Sequence, residues 1–204
     1  MYTLLKPLQT RNDLLDKNIK VFTPEVFQRV FHTSPHTTKY FLERQTQEGL
    51  LLRLKRGLYA LRTDLPAEEE IANALYKPSY ISFEYALSHY NIIPERPYIL
   101  TSATTKATAS FTTGNVEFAY YKIKVETYTG YSLERSETKS FLIAEPEKAL
   151  VDYLYFVTLG KRTLNDRIYP QNLDKKKLFA YAKLYQRDSM ERLIDKVYDN
   201  ARND

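Results

Sequence analysis

The 204-residue chain has no cysteine, no tryptophan, three histidines and five glycines. Without cysteine there is neither a disulfide framework nor a thiolate metal site. The histidines, His32, His36 and His89, are too few for an ordinary zinc site. His32 and His36 are four apart, but Ser34-Pro35 interrupts any helix between them, and no HExxH motif occurs. The five glycines are scattered, so there is no GxGxxG or GxxxxGK[ST] phosphate loop and no GxSxG elbow. No apolar run approaches the roughly 20 residues needed to cross a bilayer. The N-terminal stretch MYTLLKPLQTRNDLLDKNIK lacks the apolar core and cleavage site of a secretory signal. These absences predict a cytoplasmic protein that uses no membrane, metal or cofactor and has no catalytic residues.

What is present is a strong asymmetry of charge. Residues 1–62 hold eleven lysines and arginines against five acids, an excess of +6. The remaining 19 cations and 20 acids leave −1, so the net +5 lies in the first third. The cations are interleaved with leucine, phenylalanine and tyrosine, as on a folded basic surface, whereas a charged tail lacks such apolar spacing. A polyanion attracts such a surface by counterion release, whatever its own sequence.

Helix signals organise this basic third. A first helix is expected over Thr3–Lys17, with Leu4, Leu8, Leu14 and Leu15 as its apolar stripe and Pro7 near its start. Thr23-Pro24-Glu25 supplies an N-cap, a first-turn proline and an acid at the positive end of a second helix. Val26, Phe27, Val30 and Phe31 give it one apolar face. Ser34 caps a third helix that begins at Pro35 and stops at Gly49. On that helix Thr38, Phe41, Leu42 and Gln45 should pack inward. Beyond it, Leu50–Leu54 and Leu58–Leu61 read as two strands joined by a tight Lys55-Arg56-Gly57 turn.

Two short helices joined by a turn, then a hairpin with cations at its tip, form the pattern of a winged helix-turn-helix. The expected DNA-binding residues are Ser34, His36, Thr37, Lys39, Tyr40 and Arg44 on the third helix and Arg53, Lys55 and Arg56 in the wing. His36, Thr37 and Lys39 occupy the N-terminal turns that meet base edges, and Tyr40 and Arg44 suit phosphates. Period-two alternation would put Arg53 and Lys55 on the open face of the hairpin, with Arg56 at the turn.

Asp64-Leu65-Pro66 marks a boundary, giving residues 1–62 as the DNA-binding domain and 63–204 as a second domain. Glu68-Glu69-Glu70 opens a helix, where three acids complement the dipole; adjacent helical residues diverge too far to share a metal. Ile71, Ala74 and Leu75 are its expected packing positions. A helix over Phe83–Tyr90 follows, then strands over Tyr98–Ala103, Lys106–Phe111, Val116–Val125 and Lys139–Ile143, with a turn at Gly114-Asn115. Glu145-Pro146-Glu147 starts a helix whose apolar face is Ala149, Leu150, Tyr153, Leu154 and Val157, ending at Gly160. Two amphipathic helices occupy Asp174–Asp199. The fold class is therefore α+β: a winged helix-turn-helix followed by a mixed α+β domain.

Four segments in order carry a resemblance: R-L-K-R-G-L-Y-A-L; I-A-N-A-L; S-Y-I-S-F-E-Y-A-L-S-H-Y-N-I-I-P-E; and F-L-I-A-E-P-E-K-A-L-V-D-Y-L-Y-F. Spanning about Arg53 to Phe156, they are similar to the AbiEi family of antitoxins from type IV toxin–antitoxin (abortive infection) systems. The resemblance implies a repressor that binds repeats in its own promoter. It also implies that the second domain counteracts a cognate nucleotidyltransferase toxin, directly or functionally, with Tyr80–Pro94 and Ala144–Tyr155 as the matching segments.

Two other classes compete. A metal-dependent nuclease would need carboxylates converging with a lysine. Lys122 and Lys124 lie between Glu117 and Glu126, but strict alternation over nine residues puts the two acids on opposite faces. A stand-alone winged-helix regulator with a ligand-binding or dimerisation domain is the remaining alternative.

Overall fold

Proline at the first helical turn is tolerated because its missing N–H would have no intrahelical partner there, and it starts the first three helices of the chain. The computed structural model describes residues 5–203. It places α1 at Pro7–Asp16, α2 at Pro24–Phe31 and α3 at Pro35–Gln47. Pro7 thus fixes the start of α1 well inside the expected Thr3–Lys17 span, and Thr3 and Leu4 lie outside the described residues. Leu8 is exposed; the inward positions of α1 are Thr10 and Leu14.

The chain divides into two compact units, residues 1–67 and 68–204. Residues 63–67 belong to the first unit. Arg11 reaches from α1 to Thr63 Oγ1 (3.2 Å) and to the Asp64 carboxylate (2.9 and 2.7 Å), which holds this segment in place. A three-stranded antiparallel sheet completes the unit: β1 (Val21–Phe22), β2 (Leu51–Lys55) and β3 (Leu58–Leu61), in the order β1-β3-β2. The core gathers Leu14, Phe22, Phe27, Phe41, Leu42, Leu51, Tyr59 and Leu61. Phe27 is its hub, with ring centroids 5.7 Å from Phe22, 4.5 Å from Phe31 and 5.5 Å from Phe41. Burying one such aromatic is worth roughly 1.5–3 kcal/mol.

The second unit is built on a six-stranded mixed sheet in the order β6-β7-β5-β4-β9-β8. Its strands are β4 (Ser79–Ile81), β5 (Ile99–Thr104), β6 (Ala109–Thr113), β7 (Val116–Lys122), β8 (Tyr131–Arg135) and β9 (Ser140–Ala144). The pairs β4–β9 and β5–β7 are parallel; the others are antiparallel. The helices are α4 (Glu68–Leu75), α5 (Phe83–His89), α6 (Pro146–Thr158), α7 (Lys175–Leu184) and α8 (Ser189–Asn203). With helices and a mixed sheet in one unit, the fold class is α+β.

Two strands of the second unit, like β1 in the first, are not legible in the sequence. β4 has three residues, too few to display alternation, yet Ser79, Tyr80 and Ile81 are all buried and join the two halves of the sheet. β8 lies between the strands expected over Val116–Val125 and Lys139–Ile143, and none of its residues is fully buried. The expected strand to Val125 instead stops at Lys122, and a single 3₁₀ turn occupies Val125–Thr127. Glu117 and Glu126 therefore do not share a strand, and the alternation argument does not apply to them.

α6 is the central helix. Its buried residues run from Glu147 through Leu154 and include Phe156, so it is enclosed on nearly all sides, where a single apolar face was expected. It packs against α5, α7, α8 and β9. The Glu68–Glu70 run does more than complement a dipole. Glu69 is buried and accepts from Lys139 Nζ (2.8 Å) and Tyr85 OH (3.2 Å), while Glu70 accepts from the Ser140 amide (3.3 Å). These bonds fasten α4 to the Lys139–Ser140 start of β9. On α4 itself the buried apolar side chains are Ile71, Ala72 and Leu75, with Ala74 half-buried.

Gly130, at φ 70°, enters β8 under the ring of Tyr181. A Cβ built there would lie 2.6 Å from Tyr181 Cζ; at Gly160, φ 66°, a Cβ would meet open space. Left-handed backbone costs a non-glycine residue roughly 1–2 kcal/mol, and only Gly130 adds a steric conflict. Gly130→Ala is expected to destabilise more than Gly160→Ala in urea unfolding. Equal losses would show that the Tyr181 contact does not constrain the chain.

Candidate nucleic-acid interface and the buried cluster of the second unit

The α2–α3 turn is fixed by local polar bonds. Thr23 Oγ1 accepts from the Val26 amide (3.4 Å) at the start of α2. His32 closes α2 in a left-handed conformation, φ 52°, and the Thr33 and Thr38 hydroxyls pair at 2.7 Å across the turn. Ser34 Oγ then accepts from the Thr37 amide (3.2 Å) and pairs with Thr37 Oγ1 (2.9 Å). Ser34 and Thr37, two of the expected DNA contacts, thus spend their hydroxyls on each other at the helix cap.

Thr38, Phe41, Leu42 and Gln45 are the buried residues of α3. The opposite face presents His36, Lys39, Tyr40, Glu43, Arg44 and Gln47 to solvent, with Tyr40 61% exposed. Spacings of three and four residues make these one continuous surface. Its charge is balanced, since Glu43 and Glu48 accompany Lys39 and Arg44. Arg44 Nε donates to Glu48 Oε1 at 2.7 Å, and Gln45 Nε2 donates to Oε2 at 2.7 Å. The Arg44 and Gln45 bonds hold the Glu48 carboxyl below its ordinary value. The phosphate contact expected of Arg44 therefore competes with Glu48, which sequence reading passed over although the i, i+4 spacing signalled it. An exposed pair of this kind is worth little, so a phosphate can displace it.

α3 packs against β2. Arg53 and Arg56 are exposed, but Lys55 is half-buried. The alternation expected of Leu52–Lys55 is broken because the register slips between Arg53, paired with Tyr59, and Lys55, paired with Leu58. Leu51 and Leu54 are consequently the buried leucines, and Arg53 and Lys55 do not share one open face. Gly57, at φ 76°, makes the turn.

The second unit holds a buried polar cluster at the motif residues. Lys148 and Asp152, one turn apart on α6, form an ion pair with both side chains fully buried. Asp152 Oδ1 also accepts from Tyr185 OH, and Oδ2 accepts from Ser82 Oγ (2.8 Å) and Tyr80 OH (3.0 Å). The Lys148 ammonium lies 5.6 and 5.2 Å from the Tyr80 and Tyr185 ring centroids. Ser82 sits at the N-cap position of α5 but gives its hydroxyl to Asp152. Burial lowers the Lys148 amine, with Asp152 opposing the shift, and burial together with Asp152 raises the Tyr80 and Tyr185 phenols.

His89 is not isolated: its Nε2 lies 3.0 Å from Glu134 Oε2. Among the described residues no group of three or more histidines or carboxylates is arranged to hold a metal, and no helix is long and apolar enough to cross a membrane. No known family model matches this chain, and no curated protein matches it in sequence.

The raised phenols set an alkaline limit on stability. Burial pushes up Tyr80, Tyr185 and Tyr120, and carries Tyr90 to about 12. An unfolded tyrosine ionises near pH 10, so above that value the unfolded chain loses protons the folded chain keeps, and stability falls. The lowered Lys148 and Arg162 side chains act in the opposite sense, but they are two groups against these four. Urea unfolding is expected to weaken progressively from pH 10 upward. A constant free energy to pH 12 would overturn this account.

Proposed function

We propose that residues 1–67 form a winged helix-turn-helix that binds double-stranded DNA. We further propose that the chain is the antitoxin of a type IV toxin–antitoxin pair, repressing its own promoter and counteracting a cognate nucleotidyltransferase toxin. The observation that carries the DNA reading is the exposed face of α3, set by the capped α2–α3 turn beside a hairpin that displays Arg53 and Arg56. Lys39 and His36, on the first turns of α3, would meet base edges, Tyr40 and Arg44 the backbone, and the wing adjacent phosphates. Support for the toxin-directed role is the resemblance over Arg53–Phe156. The residues most specific to it, Tyr80, Ser82, Lys148 and Asp152, converge in one buried cluster. Being buried, they support kinship of fold; contact with any toxin would fall to exposed residues.

A second reading, a winged-helix regulator whose second unit binds a ligand, is favoured by one observation, a cavity of about 590 Å³ in that unit.

If about five phosphates are neutralised, log K should fall against log salt with a slope of about −4 to −5 on DNA from upstream of the gene. Arg53→Ala and Arg56→Ala are expected to weaken all sequences alike, and Lys39→Ala to relax discrimination. Glu48→Gln, which releases Arg44 and removes an acid from the α3 face, should tighten binding. A flat salt dependence, or unchanged affinity in the Arg53→Ala/Arg56→Ala double variant, would sink the DNA assignment.

The antitoxin assignment has its own test, co-expression with the product of the neighbouring gene. Rescue of growth is expected. Failure to rescue from a demonstrably toxic neighbour, with this chain present in soluble form, would leave the regulator reading.

A further inference from the structure

The exposed face of α3 carries an acid where a DNA-binding surface can least accommodate one. At about 100° per residue, Glu43 lies within roughly 30° of the line opposite the buried Thr38, Phe41, Leu42 and Gln45, on the crest of the helix. His36 and Gln47 share that crest, with Lys39 and Tyr40 to either side, and all of these are exposed. Arg44 and Glu48 stand on the flank and hold each other. Lys39 and Glu43, one turn apart and of opposite charge, have no ion pair or side-chain hydrogen bond among the described residues. Both charges are therefore left for whatever the crest meets.

A carboxylate pressed against DNA gives up water and is repelled by phosphates, and only a hydrogen-bond donor offsets that loss. Ionised, it accepts and never donates. In the major groove guanine offers N7 and O6 and thymine O4, all acceptors; the donors there are cytosine N4 and adenine N6. Lys39 narrows the choice, because its ammonium only donates. A G·C pair sets guanine N7 and O6 beside cytosine N4, two acceptors for the lysine and one donor for the glutamate. In an A·T pair adenine N6 lies between adenine N7 and thymine O4, so a carboxylate there is flanked by acceptors on both sides.

We infer that Glu43 is a specificity-determining residue of the first unit: it accepts from cytosine N4, while Lys39 donates to the guanine of the same base pair. This assignment deepens the DNA reading of α3 and rests on it.

Selection of bound duplexes from a random-sequence pool, run with the full chain and with its Glu43→Ala variant, tests the assignment. Glu43 is exposed and alanine favours helix, so the change does not threaten folding. The wild-type motif is expected to contain a G·C pair at which Glu43→Ala accepts any base pair, with the other positions unchanged. On the selected duplex, replacing that pair by A·T should weaken the wild type about tenfold and the variant less than twofold. N4-methylcytosine, whose methyl replaces the groove-facing N–H, should weaken the wild type similarly and leave the variant unaffected. Glu43→Gln should shift the preference at that pair toward A·T, since an amide pairs with adenine N6 and N7.

An acid that merely faces solvent gives a different result: its removal raises affinity for the selected duplex and for random DNA by the same factor, through charge alone. Such an equal rise, a Glu43→Ala motif identical to the wild type, or relaxation at an A·T pair would overturn the assignment and leave the DNA reading standing. Retained sensitivity of Glu43→Ala to N4-methylcytosine would overturn it too, by giving the contact to another residue. No enrichment of any sequence, together with a flat salt dependence, would sink the DNA reading itself and the assignment with it.

Discussion

The second unit depends on a charge it cannot leave unpaired. Asp152 is fully buried on α6, and four donors from three parts of the chain converge on it: Lys148 one turn away, Tyr80 of β4 with Ser82 just after it, and Tyr185 after α7. Desolvating two charges costs several kcal/mol per ion, and removing one partner from such a pair typically costs about 3–5 kcal/mol. The cluster therefore admits one arrangement of β4, α6 and the end of α7. Any slip of α6 would strand a carboxylate or an ammonium in the core. This explains why a helix enclosed on nearly all sides carries the Lys148–Asp152 pair at its centre.

The first unit reaches its geometry by a different route. No buried ion pair holds it together among the described residues; its core is a ring cluster around Phe27. Apolar packing is non-directional, so precision at the α2–α3 turn comes from hydroxyls. Thr23 and Ser34 cap the two helices, and Thr33 and Thr38 bond across the turn. The consequence for function is that Ser34 and Thr37 build the surface that Lys39, Tyr40 and His36 present. Glu48 then moderates that surface by holding Arg44, whereas Arg53 and Arg56 on the hairpin are exposed.

The two units thus divide polar chemistry in opposite ways. In the first, cations are displayed and the core is aromatic. In the second, a lysine, an aspartate and two tyrosines are withdrawn from solvent, while Tyr98 is left outside. An enclosed, fully bonded cluster specifies structure.

Local rules written in the sequence determined a good deal. Thr23-Pro24, Ser34-Pro35 and Pro146 fixed where helices begin, because capping and proline geometry act over three or four residues. The 3.6-residue period placed Thr38, Phe41, Leu42 and Gln45 inward on α3, and the charge count located the basic excess. Tertiary structure alone decided the rest. The register slip after Arg53 turned Lys55 away from the open face, and a strand of three residues became the centre of the sheet. Lys148 and Asp152, outside the apolar face expected of α6, became a buried ion pair because α6 is enclosed. Glu84 and Arg162, 78 positions apart, became one cavity wall. Burial is a property of what packs around a residue, and no local pattern records how distant segments meet.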